Sequence, residues 1–195
     1  MQRSLAVAMM TLAALVLLGG CAPGRVAEHE AGTSAAADRG IRDVIADQRL
    51  RGRIQGFVLN DDALLDEGNV TVTVFNRIVL LTGEVPDREA GARLAAFARE
   101  QEQARIVYNE LVVADLSSIM SRSQDRMINT AAASRLMTLS GLPDGFDRDR
   151  VHLVTERQRL YLLGRVTREE ADVISEALRR LRGVREVVRM FEYAD

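Results

Sequence analysis

Few side chains in this 195-residue chain have the type and spacing to do chemistry, and the first of them is a lone thiol. Cys21 is the only cysteine, and it directly follows Leu18-Gly19-Gly20 at the end of an apolar leader. A lone thiol there has no partner in the chain for a disulfide. The two histidines, His29 and His152, have no second histidine or cysteine at ligand spacing, so they give no metal site. Asp61-Asp62 and Asp66-Glu67 cluster in an acidic stretch that lacks the alternation, central glycine and distal glutamate of a calcium loop. There is no serine elbow, phosphate loop or paired-cysteine motif. Arg179, Arg180, Arg182, Arg185 and Arg189 gather near the end of an expected helix. Cations there suit the helix C-terminus and solubility, and the sharper alternative is a second phosphate-facing patch. The expectation is a protein that is not an enzyme and takes no cofactor.

The N-terminus sets the compartment. Residues 1–20 read as a secretory leader, with Arg3 as the charged segment and Leu5 to Leu18 as the apolar one. Leu18-Gly19-Gly20-Cys21 resembles a bacterial lipobox, although Gly19 is a less usual choice; the bland reading is an ordinary leader with an incidental cysteine. In the enterobacterial lipoprotein sorting pattern, which this resembles, an aspartate after the cysteine retains a chain at the inner membrane; Ala22 permits transfer, which implies a chain lipid-anchored at the outer membrane and facing the periplasm. Residues 21–40 are rich in Ala, Gly, Ser and Thr and read as the lipidated cysteine and a flexible tether.

The formal charge is −2, and removal of the leader takes away Arg3 and no acid. That weak negative balance argues against nucleic acid as a partner. Lysine is absent, so every fixed positive side chain is an arginine. This suits bidentate phosphate contact, and a GC-rich genome would give the same bias.

The elements that hold these residues come in two copies. Val79-Leu80-Leu81-Thr82-Gly83-Glu84-Val85 recurs as Leu160-Tyr161-Leu162-Leu163-Gly164-Arg165-Val166, the glycines lying 81 residues apart. Repetition at this period means two copies of one small domain. In the first copy, Leu50, Ile54 and Val58 mark an amphipathic helix weakened by Gly52 and Gly56. Asn60 to Asn69 reads as an acidic loop. Val70 to Phe75 alternates as a strand, Asn76-Arg77 turns, and Ile78 to Glu84 returns as a hairpin. Asp87 caps a helix whose face uses Ala90, Leu94 and Phe97, and Ile106 to Val113 is a third strand. In the second copy, Ile128, Ala132 and Leu136 repeat the first helix, and Val151 to Glu156 with Arg159 to Gly164 repeats the hairpin. Thr167 and Glu170 form a capping box. Ala171, Ile174, Leu178 and Leu181 line the next helix, Gly183 ends it, and Val184 to Tyr193 is the last strand. The fold class is α+β: each copy runs α-β-β-α-β, with two helices on one face of a three-stranded mixed sheet. The domains span residues 41–114 and 122–195, with a linker at 115–121. The second face of the first sheet, carrying Thr71, Thr73 and Phe75, must meet solvent, the sister domain or a partner.

The arrangement helix, V-x-V, turn, V-x-L-x-G-x-V, helix, V-x-N-x-L is similar to that of the BON-domain family. It appears as Val70 to Val85 with Val107-Tyr108-Asn109-Glu110-Leu111, and again as Val151 to Val166 with the divergent Val184 to Tyr193. Two such domains behind a lipobox resemble the tandem-BON outer-membrane lipoproteins. The resemblance implies a non-enzymatic protein that binds anionic phospholipid and supports outer-membrane integrity, with envelope assembly or division machinery as candidate protein partners. It also implies lipid contact at the first helix of the second domain, where the family pattern is roughly Asp-x-Trp-Ile-Thr-x-Lys-Val. Here that stretch reads Asp125-Arg126-Met127-Ile128-Asn129-Thr130-Ala131-Ala132, so Met127 replaces the tryptophan and Ala131 the lysine. Arg126, Met127, Ile128, Ala131 and Arg135 are the implied lipid-binding residues, with Arg122 as a further compensating charge.

Without the resemblance, the same residues read as a solvated face with Met127 at the edge of a core. The alternative function is an envelope adaptor that docks protein partners on its open sheet faces, around Phe75 or Tyr108, without binding phospholipid.

Overall fold

The computed structural model describes residues 40–194; the leader, Cys21 and nearly all of the tether lie outside the described residues. Leu50, Ile54 and Val58 form the buried stripe of α1 (Ile41–Asn60), as their spacing predicts. The acidic stretch that follows is not all loop. Asp61 accepts the Leu64 amide at 3.2 Å and caps a short helix, α2 (Asp62–Asp66), which buries Leu64. Its carboxylate also takes three hydrogen bonds from the Arg93 guanidinium, one from Nε at 3.1 Å and two from Nη2 at 2.8 and 3.1 Å, and these hold the acid below its ordinary pKa.

β1 (Asn69–Phe75) and β2 (Ile78–Val85) pair antiparallel. α3 (Arg88–Glu100) crosses over to β3 (Ile106–Val113), which pairs parallel to β2, so the order is β1-β2-β3 with β2 in the centre. Asp87 caps α3 through the Ala90 amide at 2.8 Å. Ala90, Leu94, Ala95 and Ala98 form the buried face of α3. Phe97 sits at its edge instead, stacked on Phe57 with ring centroids 4.4 Å apart.

The second repeat has the same topology: α4 (Ile119–Met137), β4 (Val151–Glu156), β5 (Arg159–Val166), α5 (Arg168–Leu178) and β6 (Glu186–Tyr193), in the sheet order β4-β5-β6. α4 begins inside the expected linker, because the Ser118 hydroxyl accepts the Ser121 amide at 3.2 Å and starts the helix there. The Thr167–Glu170 capping box is present on both sides. α5 ends at Leu178, short of Gly183, and Leu181 reaches the second core from a turn beyond the helix.

In each repeat the sheet turns one face to its helices and the other to the sister sheet. Val79 and Leu81 pack with α1 and α3, and Leu160 and Leu162 pack with α4 and α5. The alternate positions, Phe75, Ile78 and Leu80 on one sheet and Tyr161, Leu163 and Met190 on the other, join in a single apolar cluster between the sheets. Tyr108, Val154 and Val188 pack against it, and the Phe75 ring stacks on His152 at 5.4 Å. The sheet faces are therefore closed by each other. Phe75 and Tyr108, expected on an open docking face, are part of this interdomain cluster, and only Thr71 of the three expected β1 positions stays exposed. Glu84–Arg157 at 2.9 Å, Glu110–Arg159 at 2.7 Å and Arg105–Glu192 bridge the two repeats around it.

Both hairpins turn without glycine. Asn76 and Arg77 have φ of 50° and 64°, and Arg157 and Gln158 have φ of 51° and 64°, the geometry of a type I′ turn. A buried helix aspartate stabilises each turn. Asp47 of α1 accepts the Asn76 and Arg77 amides at 2.8 and 2.9 Å, and Asp125 of α4 accepts the Arg157 and Gln158 amides at 2.9 and 2.8 Å.

The glycines of the repeated motif have a physical reason. Gly83 and Gly164 have φ of 109° and 150°, and a Cβ on either would overlap a backbone carbonyl oxygen across the hairpin, that of Asn69 in β1 or of Arg150 just before β4. Gly52 and Gly56 lie mid-helix with nothing within 4 Å of a built Cβ. Gly164→Ala should accordingly destabilise the chain by more than about 2 kcal/mol, whereas Gly52→Ala should stabilise it by about 0.5–1 kcal/mol, both read by urea unfolding. Equal effects of the two substitutions would contradict this account.

Candidate functional site

α4 carries the residues expected to contact lipid, and its rotation is set by its inner face. Asp125, Ile128, Ala132 and Leu136 point inward. Asp125 is held at 2.8–2.9 Å on the β4–β5 turn amides. Met127 comes two positions later, about 200° around a helix, and so faces outward. It is 65% exposed. Arg126, Met127, Thr130 and Ala131 line a shallow, mainly apolar depression of about 370 Å³ on this face.

Three of the five expected contacts, Arg126, Met127 and Ala131, are thus brought together. Ile128 is not among them. It is 3% exposed and packs inward, so it positions the helix rather than contacting a ligand. Arg135 is exposed but lies on another flank, where it borders a depression between α4 and α5 with Leu139, Val173 and Arg180. Thr130 is the member missed in the sequence. The signal was its place four residues after Arg126, which puts it on the same face; its hydroxyl donates to the Arg126 carbonyl at 2.9 Å. The only acid on α4 is Asp125, which is turned inward, so the exposed Arg122, Arg126 and Arg135 meet no outward carboxylate on their own helix.

The arginines near α5 are mostly engaged with acids. Arg179 and Arg180 both bind Glu176, whose pKa their hydrogen bonds hold down to about 2, and Arg189 binds Asp172 at 2.6 Å. This favours the solvated-face reading of that cluster. Among the described residues no group of three histidine, cysteine or acidic side chains could hold a metal ion. Nor, among them, is any helix long and apolar enough to cross a membrane.

A second concavity, of about 760 Å³, lies at the junction of the repeats, lined in part by Glu110, Ser117, Glu156, Arg157, Arg159 and Arg185. Its electrostatics are opposed. The fully buried Glu84 carboxylate accepts from Ser117, from Asn69 at 2.9 Å and from Arg157 at 2.9 Å. Burial pushes its pKa up, but these hydrogen bonds outweigh burial and leave it below the ordinary value. Glu156 has the opposite fate: burial, reinforced by the charges of Glu84 and Asp125, pushes it up to about 7.

Two tandem α-β-β-α-β units with a conformationally required glycine in each central strand define the class. The BON domain matches residues 46–115 and 130–195, and the chain belongs to the BON-domain family. Among its relatives it is 29% identical over 185 residues to the outer membrane lipoprotein DolP of Haemophilus influenzae, covering 94% of each chain. It is 27% identical over 169 residues to a 21 kDa hemolysin of Actinobacillus pleuropneumoniae, covering 87% of this chain and 85% of that one. Among solved structures, the C-terminal domain of CdsD, a structural protein of the Type III secretion system of Chlamydia trachomatis, superposes with a TM-score of 0.29 at 15% identity. That overlay covers 76% of this chain and 67% of the other, a likeness too loose to add to the family assignment.

The junction predicts a pH effect. Below about pH 4.5 Glu156 is protonated in folded and unfolded chains alike, and between there and about pH 7 the unfolded chain gives up this proton first. Its contribution to stability is therefore lost as pH rises through that window. Glu156→Gln should exceed the parent chain by about 1–3 kcal/mol at about pH 8 and show no such gain at about pH 5, in paired urea unfolding curves. A gain of the same size at both pH values would mean that Glu156 does not titrate in this window.

Proposed function

We propose that this chain is a lipid-anchored outer-membrane protein, facing the periplasm and without enzymatic activity, that binds anionic phospholipid through α4 and supports envelope integrity. The observation that carries the reading is the outward patch of Arg126, Met127, Thr130 and Ala131: an exposed thioether beside a guanidinium, on a helix face that carries no acid. An exposed large apolar side chain among small neighbours suits shallow burial among acyl chains, and a nearby arginine adds about 1 kcal/mol of attraction to an anionic surface. The position of Cys21 behind an apolar leader and the likeness to the Haemophilus outer membrane lipoprotein support the anchor and the location. The mutual closure of the two sheets leaves recognition to the helices, and α4 presents an exposed thioether beside an arginine.

The test is co-sedimentation of the mature chain, left unacylated by Cys21→Ser, with phosphatidylglycerol-rich and with phosphatidylcholine-only vesicles. The expected result is pelleting with the anionic vesicles alone, weakened by about tenfold or more in Met127→Glu. Absence of pelleting with either vesicle would leave the acyl chains as the sole membrane contact and turn the function toward protein docking on the helices.

A further inference from the structure

Beyond the leader the chain has four methionines, Met120, Met127, Met137 and Met190. Three lie on α4, exposed by 76%, 65% and 65%, and the fourth, Met190, is 3% exposed in the cluster between the sheets. Met120 and Met127 are two helical turns apart, nearly aligned, and Met137 lies about 80° around from Met127. Ser123, Thr130 and Ser134 fill the face between them and Ala131 flanks Met127, so the thioethers stand over small neighbours. The cores are built from aliphatic side chains with Phe75, Phe146, Tyr161 and Phe191, and Met190 is the one thioether inside among the described residues. The accessible sulfur of the described structure is thus gathered on the face assigned above to lipid.

We infer that this methionine face is a modification site at which two-electron oxidants such as peroxide or hypochlorous acid reversibly switch off the apolar contact of α4. The inference rests on the lipid-binding reading. With peroxide the sulfur lone pair takes one oxygen as the O–O bond breaks and water leaves; with hypochlorous acid the sulfur takes the chlorine as the O–Cl bond breaks, and water then displaces chloride, with net release of one proton; either way the thioether becomes a sulfoxide and the oxidant is reduced by two electrons. Two thiols reverse the step, giving back the thioether, one disulfide and water. A sulfoxide is polar and strongly hydrated, so the oxidised face no longer gains from entering acyl chains. The backbone and the inward face of α4 are untouched, because Asp125, Ile128, Ala132 and Leu136 hold the helix from the other side. Met190, closed between the sheets, is an internal reference for access.

The experiment treats the mature Cys21→Ser chain with hydrogen peroxide, maps sulfoxides by peptide mass spectrometry, and measures pelleting with phosphatidylglycerol-rich vesicles before and after. A chain carrying Met120→Leu, Met127→Leu and Met137→Leu is treated in parallel, each chain being compared only with its own untreated sample. Sulfoxide should form on the α4 methionines at least about tenfold faster than on Met190. Pelleting of the parent chain should fall by about tenfold and return with methionine sulfoxide reductase, while the leucine variant keeps its own untreated level. Retained pelleting with all three α4 methionines oxidised would overturn the switch and leave lipid binding standing. So would an equal loss in the leucine variant, or oxidation of Met190 at the rate of Met127. Absence of pelleting before any oxidant would remove the lipid reading and this inference together.

Discussion

One buried carboxylate per repeat holds the fold in register. Asp47 and Asp125 each place both oxygens on the two amides of a type I′ turn whose central residues are not glycine. Neither half of this arrangement is favourable alone. A carboxylate buried without donors is costly, and left-handed backbone at arginine or glutamine is strained. Together they offset each other, because the turn aims two N–H groups along one direction and the helix brings two acceptors to meet them. The clamp ties the rotation of the first helix to the position of the hairpin. Everything outward on that helix follows: with Asp125 fixed inward, Met127 has nowhere to go but solvent.

The docking of the two sheets is the second constraint. A three-stranded sheet with helices on one side leaves an apolar face that a single small domain cannot cover. Duplication solves this by letting the two copies cover each other, with Leu80, Tyr161 and Leu163 fully or almost fully buried between them. Polar groups at the rim adjust to that burial. Glu84 stays charged because Arg157 of the other repeat and Ser117 of the linker reach it. Glu156, close to the same charges without comparable donors, is driven toward its neutral form. The interface therefore couples the repeats electrostatically as well as through apolar packing.

Much of this was legible in the residues, and the exceptions have specific causes. The strand, hairpin and helix assignments stand because periodicities of two and 3.6 report directly which side chains are buried. Asp87 and Thr167 announced their helices because capping is local chemistry. The short α2 helix was hidden inside an acidic stretch, where Asp61 serves as cap and ion-pair partner at once. The start of α4 was hidden because Ser118 opens the helix in a segment of linker-like composition. The site was legible only in part. Spacing placed Met127 outside, but a contiguous sequence window also drew in Ile128, although a helix sends adjacent residues about 100° apart. The destination of the open sheet face was not legible, since period-two alternation shows that a face exists and not what covers it.

The two repeats share a frame but not a surface. Seventy-eight positions before Arg126, Met127, Thr130 and Ala131 stand Gln48, Arg49, Gly52 and Arg53. The inward residues at the same offset, Asp47, Leu50, Ile54 and Val58, keep their roles against Asp125, Ile128, Ala132 and Leu136. The clamp and core are alike in both copies while the outward face differs: Gln48, Arg49, Gly52 and Arg53 on α1 against Arg126, Met127, Thr130 and Ala131 on α4. A surface needed only for solubility gains nothing from replacing charge by an exposed thioether. The asymmetry accords with the function proposed above: each repeat closes the sheet face of the other, and the proposed lipid contact falls on the copy whose helix exposes the thioether.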